Sequence, residues 1–148
     1  MHISNKIRLE FLSLSQNESF ARSVVSFFAL QLNPSVSQIA DIKTAVSEAV
    51  TNSIVHGYPN GIGEIVLESE LVDNEIHINI FDNGVGIDNV NQALEPFFTT
   101  KENEERSGMG FTIMQSFMDS VRVESEKGKG TKIYMTKKIF LNKAGVEC

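Results

Sequence analysis

Glu48-Ala-Val-Thr-Asn52-Ser-Ile-Val-His56 sets a carboxylate, a carboxamide and an imidazole at successive four-residue intervals. Side chains at that spacing share one side of an α-helix, and these three types can move protons and hold polar ligands. Ile39, Ile42, Val46, Val50 and Ile54 repeat with a helical period on a different side. The helix can therefore bury its apolar stripe while presenting Glu48, Asn52 and His56 together. An ordinary solvated polar face has the same spacing, so the helix by itself does not decide between site and surface.

Two glycine motifs lie farther along. Glu75-Ile-His-Ile-Asn-Ile-Phe81 alternates as a strand and runs into Asp82-Asn83-Gly84-Val85-Gly86, while Ser107-Gly108-Met109-Gly110-Phe111 opens an apolar-periodic run. Glycine pairs clear side chains from places where a ligand must approach backbone. Asp-Asn-Gly alone reads as a hairpin turn, yet no second strand follows, because Val85-Gly86-Ile87-Asp88 leads into Asn89 to Leu94, a short helix or turn. Gly108-Met109-Gly110 fits a flexible approach to a helix. It equally fits a helix N-terminus whose N–H groups and positive dipole end would receive phosphate.

The elements that must position these residues are readable from pattern. Ile7, Leu9 and Phe11 alternate with Lys6, Arg8 and Glu10 as a first strand. Ser15-Gln-Asn-Glu18 has the form of a capping box ahead of a helix carrying Phe20, Val24, Phe27 and Phe28, and Pro34 marks that helix's end. Ser35-Val-Ser-Gln38 repeats the signal before the helix of Glu48, which Gly57-Tyr-Pro-Asn-Gly61 stops. Strands are predicted at about Glu64 to Val72 and Glu75 to Phe81, joined at Asp73-Asn74. A third long helix is predicted from Met109 to Asp119, then a hairpin of Val121 to Ser125 and Thr131 to Ile139. The expectation is an α+β fold, a two-layer α/β sandwich with helices on one face of a mixed, mostly antiparallel sheet.

Composition bounds the function. The 148 residues suit one domain over 1–148, with its core at about 7–138 and a tail at 139–148. That is too short for a kinase domain plus a separate dimerisation and phosphoacceptor module. Net charge is −6, from 13 Lys and Arg against 19 Asp and Glu, and the basic residues are scattered. Direct nucleic-acid binding is therefore not expected. Cys148 is the sole cysteine and has no internal partner, and neither a charged-then-apolar leader nor a long apolar run occurs. The expectation is a cytoplasmic protein with no membrane association.

In this order the motifs resemble the nucleotide-binding boxes of the GHKL superfamily, whose Bergerat ATP-binding fold serves gyrase-type ATPases, mismatch-repair ATPases and histidine kinases. Asn17-Glu18-Ser19-Phe20-Ala21-Arg22, Val46 to Asn52, Ile54-Val55-His56-Gly57-Tyr58, Phe98-Thr99-Thr100-Lys101 and Glu105 to Met114 narrow the likeness. From about Ile7 to about Lys138 the chain resembles the anti-sigma F family of sporulation serine-protein kinases.

The resemblance implies ATP or ADP and Mg²⁺ as ligands, with Asn52 at the magnesium position, where a hard amide oxygen suits the ion. It implies Glu48 as the general base, close enough to the γ-phosphate to take a proton from an incoming hydroxyl. Asp82 matches the aspartate that reads adenine. Thr131 matches a hydroxyl that helps bind adenine through water, although an ordinary β-branched strand residue fits that position as well. Gly84 and Gly86 would pass close under the nucleotide, and Ser107, Gly108, Met109 and Gly110 would line its phosphates. Glu95 to Ser107 reads as a lid in which Thr99, Thr100 and Lys101 bind nucleotide and Arg106 contacts the terminal phosphate. Glu102 stands where the family has proline, which implies a looser lid. His56, beside Gly57, is favoured in a structural role at the helix end.

By the same resemblance, the chain should phosphorylate a serine of a STAS-class anti-anti-sigma protein. It should also sequester the sporulation sigma factor F as a homodimer, with Arg22 as a partner contact. Two other classes stay beside this one: an ATPase conformational switch, and a nucleotide-dependent binding module without kinase activity. A glutamate base activates water as readily as a serine hydroxyl. The large ATPases of the superfamily, however, couple hydrolysis to further domains, and a pure binding module has no use for a carboxylate beside polyphosphate.

Overall fold

The computed structural model describes residues 3–95 and 110–140. Strand β1 (Ile3–Leu12) leads to α1 (Ser15–Ala29), a 3₁₀ turn at Leu30–Leu32, then α2 (Val36–Asn52) and a π-helical turn at Ser53–Gly57. Next come β2 (Glu64–Val72), β3 (Glu75–Asp82) and the single-turn α3 (Val90–Ala93). Helix α4 (Gly110–Phe117) and the strands β4 (Ser120–Glu126) and β5 (Gly130–Lys138) complete the order.

The five strands form one sheet in the order β1-β2-β3-β5-β4. All four pairings are antiparallel, so no parallel pair of the kind a mixed sheet would hold occurs among the described residues. Alternation decides which face is buried. Ile65, Leu67 and Leu71 of β2, Ile76, Ile78 and Ile80 of β3, and Ile133 and Met135 of β5 all point into one core. Ile42, Val46 and Val50 of α2 lie in that core, as the helical stripe predicts, together with Ala45 and Ala49. Helices α1 and α4 pack against α2, which gives the expected two layers. The opposite sheet face is polar and aromatic, with Arg8 bonded to Glu68, and Phe81 set edge-on to Tyr134 beneath Arg122.

Helix α2 begins as its sequence announces. The Ser35 hydroxyl accepts from the Gln38 N–H and the Gln38 side chain accepts from the Ser35 N–H, a reciprocal capping box. Its neighbour α1 does not follow suit. Ser15 is already helical, the preceding position is Leu14, and no side chain caps the start. Instead the chain leaves β1 through a tight turn in which the Leu14 carbonyl accepts from Asn17 N–H and the Asn17 amide donates to the Leu12 carbonyl.

The apolar face of α1 also differs from expectation. Ala21, Val25, Phe28 and Ala29 are buried, whereas Phe20 and Phe27 are 55% and 72% exposed. Two apolar faces compete on this helix, and the small alanines let α1 approach α2 closely, which the phenylalanines would not. Helix α4 spans Gly110–Phe117, shorter than the predicted run to Asp119. Lys137 ends it by donating to the Phe117 carbonyl at 2.7 Å while lying 3.5 Å from Asp41 of α2. Ile139, just past β5, is fully buried and its N–H bonds the Asn74 carbonyl.

Candidate functional site

Asp82 ends β3 and is 5% exposed, a charged group deep enough to need donors. The Ser53 hydroxyl donates to Asp82 Oδ2 at 2.7 Å and the Gly84 N–H donates to Oδ1 at 2.9 Å. Thr131 sits opposite Asp82 in the β3–β5 ladder. Burial pushes the carboxyl above the ordinary aspartate range, and the Ser53 and Gly84 donors, with the neighbouring Thr131 backbone, oppose that rise.

The loop after Asp82 is fastened from two sides. Val85 N–H donates to the Gly57 carbonyl at 2.8 Å, and the Val85 carbonyl accepts from Gly128 N–H at 2.6 Å. Ser125 Oγ accepts from Ile87 N–H at 2.8 Å and lies 2.8 Å from the Thr131 hydroxyl. Gly84 is required by contact: a Cβ there would stand 2.0 Å from the Gly57 carbonyl oxygen. Gly86 is required by its backbone, at φ 76°, and by the Glu126 carbonyl 2.1 Å from where its Cβ would be. As the sequence predicts, Asp-Asn-Gly leads to no second hairpin strand but to the short helix α3, which Asn89 caps by accepting from Gln92 N–H. Tyr58 holds the loop start, accepting from Asn83 N–H at 2.8 Å and donating to the Glu64 carbonyl at 2.7 Å.

At the other side of the site, α2 presents Glu48 and Asn52 half-buried, one turn apart. Glu48 Oε1 lies 3.5 Å from where a Cβ on Gly110 would stand, so its carboxylate faces the first residue of α4. The sequence row of Glu48, Asn52 and His56 is only partly realised. Tyr58 N–H donates to the Ser53 carbonyl, closing a π turn over Ser53–Gly57, and i→i+5 bonding carries His56 off the α-helical register.

The structure thus gathers Asp82, Gly84, Gly86 and Thr131 around one loop, and Glu48 and Gly110 around the start of α4, with Asn52 on the helix that joins the two. Arg22 is elsewhere, on α1, 3.5 Å from Glu18. Thr99, Thr100, Lys101, Arg106, Ser107, Gly108 and Met109 lie outside the described residues. Sequence reasoning missed Ser53, Ser125 and the structural part of Tyr58. Ser53 and Ser125 act across 29 and 38 residues of chain, on Asp82 and Ile87 respectively, and no local pattern marks them.

The sequence matches the histidine kinase-like ATPase domain family over residues 13–137. It is 57% identical over 143 residues to the anti-sigma F factor of Caldanaerobacter subterraneus subsp. tengcongensis, covering 97% of this chain and 100% of that one. To the anti-sigma F factor of Clostridium acetobutylicum it is 53% identical over 139 residues, covering 94% and 97%. A solved structure of the RsbU and RsbW domains of a Mycobacterium tuberculosis protein superposes with a TM-score of 0.65 at 18% identity. That alignment covers 92% of this chain and 32% of that one. The mycobacterial sensor histidine kinase MprB gives 0.58 at 15% identity, covering 90% and 98%. At such identities the structural likenesses speak for the fold alone.

Proposed function

We propose, from the premise that this chain belongs to the histidine kinase-like ATPase family and within it to the anti-sigma F factors, that it is an ATP-dependent serine-protein kinase. It uses the same fold to sequester the sporulation sigma factor F as a homodimer, and it transfers phosphate to a serine of a STAS-class anti-anti-sigma protein. Arg22 contributes to a partner contact. The protein acts in the cytoplasm; among the described residues no helix is long and apolar enough to cross a membrane.

The observation that carries the reading is the two-ended site on α2. Its C-terminal continuation bonds the buried Asp82 through Ser53, while Glu48, one turn before its end, faces Gly110 at the start of α4. A buried carboxylate accepts a hydrogen bond from the exocyclic amine of adenine, and the carbonyl of guanine is repelled there. The glycines at 84 and 86 admit the nucleotide against backbone. Gly110 brings the positive end of α4 to the phosphates, a role shared with Ser107, Gly108 and Met109. Thr99, Thr100, Lys101 and Arg106 add hydroxyls and positive charge from the lid.

Asn52 fits Mg²⁺ by the chemistry of its donor, since the ion takes hard oxygens and accepts one protein ligand when phosphates and waters supply the rest. Bound Mg²⁺ would supply charge neutralisation at the phosphates. Glu48 then orients the serine hydroxyl and takes its proton. Thr131, bonded to Ser125, keeps the adenine end of the site in place.

Incubation of the chain with labelled ATP, Mg²⁺ and its cognate STAS protein tests this. Label on a STAS serine is the expected result. Phosphate release without transfer would favour an ATPase switch, and stable binding with neither would favour a nucleotide-dependent binding module.

A further inference from the structure

The Ser53–Asp82 bond joins a residue that belongs to no recognised motif to the one carboxylate that the reading above assigns to the base. We infer that Ser53 is a positioning residue for base specificity, holding the Asp82 carboxylate so that an acceptor place is kept for an amino group on the bound purine. The inference rests on Asp82 meeting adenine.

Both partners are sealed from solvent, Ser53 at 1% and Asp82 at 5% exposure, and the bond is short at 2.7 Å. A carboxylate offers about four acceptor places. Ser53 fills one on Oδ2 and Gly84 N–H one on Oδ1. About two remain, one on each oxygen, for an incoming donor. The terminal torsion of aspartate is broad, so it is the fixed donors that set where these places point. Without the serine hydroxyl, Oδ2 loses its partner and the plane of the carboxylate is free to rock about its remaining bond. A buried carboxylate short of donors also tends to take a proton, and a protonated oxygen presents O–H to an amine that itself donates.

The backbone is shaped to put the hydroxyl there. The π turn begins at Ser53, immediately after Asn52, and Gly57 closes it with no side chain where a Cβ would come within 3.1 Å of the Asp82 carboxyl. One helix end therefore sets both the proposed magnesium ligand and the group that orients the base reader.

The test compares calorimetric binding of Mg-ATP with that of the triphosphate of purine riboside, which lacks the exocyclic amine. The full-length wild type, Ser53→Ala and Asp82→Asn are titrated with each. The wild type should prefer ATP. Ser53→Ala should weaken ATP binding about tenfold while leaving the analogue within about twofold, because only ATP uses the oriented acceptor. Asp82→Asn should lose the preference. Full preference in Ser53→Ala, with loss in Asp82→Asn, overturns the inference alone; so does an equal loss for both nucleotides, which would make Ser53 part of the scaffold only. No preference in the wild type overturns the reading of Asp82 and the inference with it.

Discussion

Asp82→Asn separates what the site requires from what the fold prefers. The side chain is isosteric and the surrounding bonds can be rearranged: the new amide oxygen can take the Gly84 N–H, and the Ser53 hydroxyl can rotate to accept from the new NH₂. The variant should therefore fold. Binding should suffer, since the acceptor proposed for adenine is charged and hydrogen bonds to charged groups contribute roughly 1.5–3 kcal/mol. That corresponds to a tenfold to hundredfold loss of ATP affinity.

Stability should move the other way. In the folded chain the Asp82 carboxyl titrates above its ordinary 3.8, with burial as the leading cause. Between 3.8 and the raised value the folded state holds more proton than the unfolded one, so this group's contribution to stability falls as pH rises through that window. Asparagine does not titrate. The excess stability of wild type over variant should thus be largest at the acid end, decline through the window and level off above it. Calorimetric ATP titrations at neutral pH, paired with urea unfolding of both proteins across the acid range, read the two effects. Unchanged ATP affinity would remove Asp82 from the base contact, and a stability difference flat with pH would refute the argument from burial.

Three further outcomes are expected. Glu48→Gln keeps shape at the start of α4 and removes the base, so nucleotide affinity should hold while transfer to the STAS serine drops by about a hundredfold or more in a labelled-ATP assay; wild-type rates would exclude Glu48 as the base. Arg106→Ala should lower ATP affinity about tenfold more than ADP affinity, because the γ-phosphate alone distinguishes them; equal losses in calorimetry would reduce Arg106 to general phosphate attraction. Gly84→Ala would set a methyl 2.0 Å from the Gly57 carbonyl oxygen and force apart the Val85–Gly57 bond, so urea unfolding should show a loss of roughly 1–3 kcal/mol, with an unaltered midpoint counting against the close approach.

Much of the molecule was legible in its residues because the controlling physics is local. Alternation over Glu75 to Phe81 marked β3, since a strand repeats every two residues. Ser35 and Gln38 announced α2, since their bonds close within one turn. The order of Glu48, Asn52, Asp82, Gly84 and Gly86 carried the resemblance to the nucleotide-binding boxes of the family, and each of these residues was named from it. Tertiary structure decided the rest. Periodicity gave α1 two apolar faces, and only packing on α2 buried Ala21 and Ala29 and left Phe27 outside. The strand order β1-β2-β3-β5-β4 depends on pairings between distant segments. The π turn at Ser53–Gly57 took His56 out of its row, because the Gly57 carbonyl is bonded by Val85 and the Ser53 hydroxyl by Asp82, 29 residues away. A sequence lists those partners without their meeting, and it is the meeting in a water-poor interior, where an unpaired carboxylate would be costly, that fixes the geometry.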